Sequence, residues 1–211
     1  MLDLSLYLVT DRDLSQGRAT GNIVAAAVRG GITCVQLREK QASTREFVAE
    51  ARAVKALLAA QERHIPLIIN DRLDVALAVG ADGVHLGQSD MELCDARRIA
   101  GANFIIGISA ESVADAMAAA AAGADYLGIS PVFATATKTD TASPLGLEGI
   151  RAIRAAVSLP LVGIGGINQN NASAVLQAGA DGVAVVSAIV SAACPRSAAA
   201  ALKQQIHSIT Q

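Results

Sequence analysis

The chain has 211 residues, 52% hydrophobic and 17% charged, enough apolar material for one domain, 1–211, with a large core. A formal charge of −2, five aromatic residues and no tryptophan argue against polyanion binding and against a stacking surface for single-stranded nucleic acid. Mean hydropathy is +0.41, yet no uncharged apolar run reaches the roughly 18 residues a membrane span requires, so the hydrophobicity is assigned to an interior.

The N-terminal segment carries Asp3 and no basic stretch ahead of a cleavable apolar run, so no secretory signal is expected. Cys34, Cys94 and Cys194 are too few and too scattered for a disulfide framework or a zinc cluster, which suits a reducing compartment. The cytoplasm is the expected location, with neither a nucleic acid nor a membrane as partner. Further along, short apolar runs alternate with longer helical stretches, the pattern of strand and helix units around a parallel sheet. It predicts strands at 6–10, 34–38, 67–70, 83–86, 104–109, 126–130, 161–165 and 182–186, with helical character following each, as at 43–60, 112–122 and 170–177. Eight such units without a Pro-, Gly- or Ser-rich linker imply an α/β fold, a single (β/α)8 TIM barrel with its active site at the C-terminal ends of the strands.

Gly80-Ala81-Asp82, Gly123-Ala124-Asp125 and Gly179-Ala180-Asp181 each close an Ala-rich helix and open a strand. Residues entering a strand lie on the N-terminal face of a barrel, where stability rather than chemistry is decided. The three aspartates are therefore expected to be structural.

The second predicted strand ends Gln36-Leu37-Arg38-Glu39-Lys40. Strand alternation puts Gln36, Arg38 and Lys40 on one face, with Val35 and Leu37 on the other. A guanidinium beside an ammonium in a barrel mouth suits phosphate oxygens; a surface pairing with Glu39 and Glu46 is the plainer alternative. Strand three ends Asn70-Asp71, and strand four runs Val84-His85-Leu86-Gly87-Gln88-Ser89-Asp90. Asp71 and Asp90 fit a Mg²⁺ site shared with phosphate and water, and fit helix N-caps equally well. Ser109, ending strand five, suits a ligand donor or a local cap. The loop 131–139 after strand six contains Thr135, Ala136, Thr137 and Lys138, a composition for an anion-binding lid or for a solvated turn. Strand seven ends Gly163-Ile164-Gly165-Gly166-Ile167 and strand eight ends Val185-Val186-Ser187, where barrels often place a phosphate against backbone amides; close packing of helix on strand also calls for glycine. His64, His85 and His207 form no cluster, and His85 reads as a core histidine. No Gly-x-Ser-x-Gly elbow, Walker lysine or nucleophile with its base is present.

Two anion sites at one mouth suit a reaction that joins a phosphorylated nucleophile to an electrophile losing diphosphate. Gln36-Leu37-Arg38-Glu39-Lys40, Ile69-Asn70-Asp71, the run from Gly80 to Asp90, Thr135-Ala136-Thr137-Lys138 and Gly163-Ile164-Gly165-Gly166-Ile167, in that order, resemble the successive motifs of the thiamine-phosphate synthase family over essentially the whole chain. The resemblance implies a transferase of thiamine biosynthesis that condenses 4-amino-2-methyl-5-hydroxymethylpyrimidine diphosphate with 4-methyl-5-hydroxyethylthiazole phosphate by a dissociative, Mg²⁺-dependent route. It implies that Gln36, Leu37, Arg38, Glu39, Lys40, Asn70, Ser109 and Lys138 hold the pyrimidine diphosphate, with Arg38, Lys40 and Lys138 catalytic. It assigns Asp71 and Asp90 to Mg²⁺, and Thr135, Ala136, Thr137, Gly166, Val186 and Ser187 to the thiazole phosphate. Ala110 departs from the threonine common among relatives at that point. Thiazole tautomerases on the same barrel and a non-catalytic sensor of thiamine precursors are the rival readings; the complete metal and diphosphate set favours the synthase. The mouth is expected to be locally cationic and, with so few aromatics, to orient ring substrates by hydrogen bonds and phosphate anchors.

Overall fold

A strand covered by helices on one face and by a filled barrel on the other is apolar over most of its length, and the predicted runs are so except where polar groups approach the mouth. In the computed structural model, which describes residues 2–135 and 143–209, they form β1 (Leu6–Val9), β2 (Cys34–Leu37), β3 (Leu67–Asn70), β4 (Gly83–Leu86), β5 (Ile105–Ala110), β6 (Tyr126–Ile129), β7 (Leu161–Gly163) and β8 (Gly182–Val185). Neighbours pair in parallel and β1 closes onto β8, so the expected TIM barrel is what the chain adopts. Its helices are α1 (Thr20–Arg29), α2 (Thr44–Ala59), α3 (Leu73–Val79), α4 (Leu93–Ala100), α5 (Val113–Ala121), α6 (Gly146–Ala156), α7 (Ala172–Gln177), α8 (Ser187–Val190) and α9 (Pro195–His207). Ser43 and Glu46 close a capping box at the start of α2, and Ser112 accepts the Asp115 N–H at the start of α5, which stops both helices one residue inside their expected N-terminal limits. Thr10, Arg38, Ser130, Gly165 and Val186, expected as strand ends, lie just beyond the ladder, where the backbone turns into the mouth. Among the described residues, no helix is long and apolar enough to cross a membrane.

Side-chain alternation separates two cores. Leu6, Leu8, Val35, Leu37, Ile69 and Leu86 pack outward against the helices. Tyr7, Val9, Cys34, Ile68, Tyr126, Val162 and Ala184 fill the barrel. Two tyrosines cross so narrow a space because glycine lies opposite. A Cβ on Gly107 would sit 2.1 Å from Cζ of Tyr126, and one on Gly128 would sit 2.9 Å from Cε1 of His85, distances a close-packed interior does not tolerate.

At the N-terminal face the aspartates of the repeat are structural, as expected. Gly80 takes the left-handed backbone (φ 61°) that lets the chain leave α3 and turn into β4. The Oδ2 atoms of Asp82, Asp125 and Asp181 accept the N–H groups of Leu67, Ile106 and Leu161 at 2.8, 2.7 and 2.8 Å. Each aspartate also donates its own N–H to the carbonyl of the same residue, a two-way clasp on the preceding strand. Loss of one buried hydrogen-bond acceptor costs about 1–3 kcal/mol. Asp82→Ala is accordingly expected to lower Tm by about 2–12 °C with kcat unchanged, which a thermal melt beside a turnover assay measures.

Candidate active site

At the C-terminal face the strand ends surround a cavity of about 420 Å³. β2 leaves the ladder at Leu37, and Arg38 and Lys40 continue into the cavity with the inward parity of Gln36. The Arg38 N–H donates to Thr10 Oγ1 at 3.0 Å, and its guanidinium donates to Asp11 Oδ2 at 2.6 Å. Asp11 is itself fixed, its Oδ1 accepting the Leu14 N–H. The Lys40 ammonium donates to Asp71 Oδ2 at 2.6 Å. The surface alternative is not what forms: Glu39 accepts from Arg12, and Glu46 belongs to the Ser43 cap. Leu37 is buried against the helices, and neither it nor Glu39 is among the described residues lining the cavity. Of the five residues at the end of the second predicted strand, three therefore reach the site with their side chains.

Asp71 adopts φ 62°, a left-handed backbone that Asp tolerates better than most residues, with its N–H on the His85 carbonyl at 2.8 Å. Arg72, not Asp71, precedes α3 as its cap residue, and Glu92 holds that place for α4. Asp90 instead turns back on its own loop, its Oδ2 accepting the Gly87 N–H at 2.7 Å. Helix capping is thus not the work of either carboxylate. Burial pushes the Asp90 carboxyl up, the Gly87 amide opposes that, and the Asp71 carboxylate beside it pushes the same way as burial. Asp11, Asp71, Asp90 and Glu111 line the cavity with Arg38 and Lys40. Among the described residues the mouth therefore holds more carboxylates than cations, not the cationic excess expected from the sequence.

The cavity floor is a hydrogen-bonded chain across the barrel. Gln36 Nε2 donates to Tyr7 Oη at 3.1 Å, and Tyr7 Oη meets Tyr126 Oη at 2.9 Å. Tyr126 Oη lies 3.0 Å from His85 Nδ1, and His85 Nε2 lies 3.0 Å from Ser109 Oγ. Burial pushes both tyrosine hydroxyls well above their usual range, so both stay protonated. His85 is therefore a lining residue of the site, and aromatic rings do face the ligand space. The signal for both was available: the alternation that places Gln36 inside also places Tyr7, His85 and Tyr126 inside. Asn70, Gln88 and Ser89 complete this side.

Opposite, Thr135, Gly165, Gly166, Val186 and Ser187 line the rim. Gly166 has φ 64°, and a Cβ there would sit 2.7 Å from the Ala134 carbonyl oxygen; one on Gly165 would sit 2.8 Å from Cβ of Pro131. The Val132 and Phe133 N–H groups bond to the Ile164 and Gly165 carbonyls at 2.8 and 3.1 Å. The glycine pair thus seats the loop after β6 and also borders the cavity, so the packing and ligand readings of it coexist. Ala136 and Thr137, also expected at this rim, and Lys138, expected on the pyrimidine diphosphate, lie outside the described residues.

The chain as a whole has close counterparts among known proteins. The family described as thiamine monophosphate synthase matches residues 6–189. The thiamine-phosphate synthase of Albidiferax ferrireducens is 57% identical over 206 residues, covering 98% of this chain and 93% of the relative. That of Chloroflexus aurantiacus is 53% identical over 211 residues, covering 100% and 96%. The solved structure of the thiamine phosphate pyrophosphorylase from Pyrococcus furiosus superposes with a TM-score of 0.91 at 40% identity, over 100% of this chain and 98% of that one. The chain belongs to the thiamine monophosphate synthase family and is a transferase of thiamine biosynthesis.

Proposed function

We propose that the enzyme joins 4-amino-2-methyl-5-hydroxymethylpyrimidine diphosphate to 4-methyl-5-hydroxyethylthiazole phosphate, giving thiamine phosphate and diphosphate, with Mg²⁺ held by Asp71 and Asp90. The observation that carries this reading is the division of one cavity. Arg38, Lys40, Asp71 and Asp90 gather at one end, and Gly165, Gly166 and Ser187 form the other.

Mg²⁺ takes one or two carboxylates and fills its remaining positions with water and substrate phosphate. Among the described residues no group of three His, Cys, Asp or Glu side chains is placed for a metal, but the Asp71 and Asp90 pair meets this smaller demand. An Asp90 carboxyl whose ionisation burial and the neighbouring Asp71 disfavour is relieved by a divalent cation beside it. When bound there, the cation would supply positive charge to a diphosphate that the Asp71 and Asp90 carboxylates would otherwise repel. Arg38 offers the diphosphate its remaining guanidinium N–H groups while Asp11 keeps the fork oriented, and Lys40 adds a point charge. Gln36, Asn70 and Ser109 orient the pyrimidine between the two ends, and the Gly166 and Ser187 rim receives the thiazole phosphate.

The bond from the pyrimidine methylene carbon to the diphosphate oxygen breaks with its electron pair leaving on oxygen, helped by the ring amino group. The thiazole nitrogen lone pair then forms the new carbon–nitrogen bond, and the product nitrogen is quaternary. No proton leaves the nucleophile, so positioning and charge stabilisation suffice. Purified protein given both substrates and Mg²⁺ is expected to release diphosphate and form thiamine phosphate, to stop on addition of EDTA, and to resume when Mg²⁺ is restored. Absence of thiamine phosphate under these conditions would sink this reading.

A further inference from the structure

We propose that the hydrogen-bonded chain from Gln36 to Ser109 holds His85 in its Nε2–H form and so turns the Ser109 hydroxyl proton into the cavity, making His85 a positioning residue for the pyrimidine diphosphate. This rests on the substrate reading above for its ligand, but not for its proton order.

The order follows from which atoms can only donate. The Gln36 amide nitrogen has protons and no lone pair to offer, so Tyr7 Oη accepts at that contact. Tyr7 then has one proton, and the oxygen of Tyr126 at 2.9 Å is a better acceptor than the sulfur of Cys34, which shares the barrel interior and donates to the Pro66 carbonyl. Having accepted from Tyr7, Tyr126 directs its own proton at His85 Nδ1. A neutral imidazole whose Nδ1 accepts carries its proton on Nε2, and Nε2 faces Ser109 Oγ at 3.0 Å. Ser109 accepts there, which releases its own hydroxyl proton for an acceptor in the cavity that it lines. The same five residues arranged in the reverse order would make Tyr7 donate to the Cys34 sulfur and would leave Ser109 donating to His85, with nothing to give a substrate.

The barrel is built around these rings. The Tyr7 and Tyr126 centroids are 6.0 Å apart and those of His85 and Tyr126 are 5.5 Å apart. Gly128 and Gly107 supply bare backbone where His85 and Tyr126 lie, and a methyl group at either position would collide with the ring. A chain that joins Gln36 on β2 to Ser109 on β5 also ties two of the residues assigned to one substrate into a single polarised unit.

The experiment has two readouts. In substrate-free, metal-free protein labelled with ¹⁵N-histidine, with His85 assigned by its disappearance in His85→Gln, the Nε2 resonance is expected in the protonated range and Nδ1 in the unprotonated range. An Nδ1–H tautomer would overturn the proposal whatever the enzyme's activity. In steady-state kinetics, Tyr126→Phe removes the donor to Nδ1 and is expected to reduce kcat/KM for the pyrimidine diphosphate roughly 10-fold, leaving KM for the thiazole phosphate unchanged. His85→Gln, whose Nε2 can still donate toward Ser109, is expected to keep most of the activity that His85→Ala loses. Equal losses in these two variants, or equal effects of Tyr126→Phe on both substrates, would assign the chain to packing alone and overturn the proposal. Failure of the wild type to make thiamine phosphate would instead remove the substrate reading, while the tautomer measurement would still decide the proton order.

Discussion

Arg38→Ala is expected to lower kcat by roughly 10²- to 10³-fold while KM for the thiazole phosphate changes little. The guanidinium sits at the charged end of the cavity, locked to Asp11 at 2.6 Å, and the glycine-lined rim is formed by other strands. Charge grows on the departing diphosphate, so a fixed cation there stabilises the transition state more than the ground state, and removal of one such group costs about 3–4 kcal/mol of activation free energy. Arg38→Lys is expected to fall between the two, because an ammonium keeps the charge and loses the planar fork. The substitution to alanine also leaves Asp11, only 8% exposed, without its partner, so a lower Tm accompanies the kinetic loss. Single-turnover rates at saturating substrate, measured well below the melting transition, separate the two effects. Normal turnover in Arg38→Ala would place the diphosphate elsewhere.

Asp71→Asn is expected to lose turnover to a similar extent and to move the Mg²⁺ dependence to higher concentration. Asparagine is the right replacement because it shares the tolerance of aspartate for φ 62°, whereas alanine would add backbone strain of about 1 kcal/mol or more. The exchange removes one negative charge from the acidic pair, frees Lys40 from its 2.6 Å contact, and leaves Asp90 without the carboxylate that disfavours its ionisation. Freed of its partner, Lys40 can move toward phosphate, so ground-state binding of the pyrimidine diphosphate survives better than kcat does. Rates measured across a Mg²⁺ titration give both quantities. A variant with the Mg²⁺ dependence of the wild type would show that Asp71 is not a ligand.

Much of this site is local in the chain, and what is local was legible. β3 and β4 begin and end at the predicted residues, because proline and glycine mark their boundaries and the apolar alternation lies within four residues. Gln36, Arg38 and Lys40 share a face for the same reason. The pairings are another matter. Arg38 and Asp11 are 27 residues apart, Lys40 and Asp71 are 31 apart, and His85 lies 41 from Tyr126 and 24 from Ser109. No periodicity connects positions so distant, and among the described residues a carboxylate paired with each cation, with Asp90 and Glu111 besides, removes the expected cationic excess. His85 read as core because a histidine in mid-strand usually is; the bare backbone of Gly128 beside it, 43 positions along, is what makes room for it at the cavity floor.

The aliphatic, aromatic-poor composition takes on meaning inside the closed barrel, where, among the described residues, Tyr7, Tyr126 and His85 meet ring to ring. By itself the sequence determined the number and order of strand units, the faces of each strand, and which strand ends carry polar groups, since these follow from short-range periodicity and covalent order. Which groups meet was decided by the tertiary structure. Parallel pairing of each strand with its neighbour, closed by β8 on β1, fixes the registers, and those registers bring Asp11 to Arg38, Asp71 to Lys40, and the floor residues into one hydrogen-bonded line.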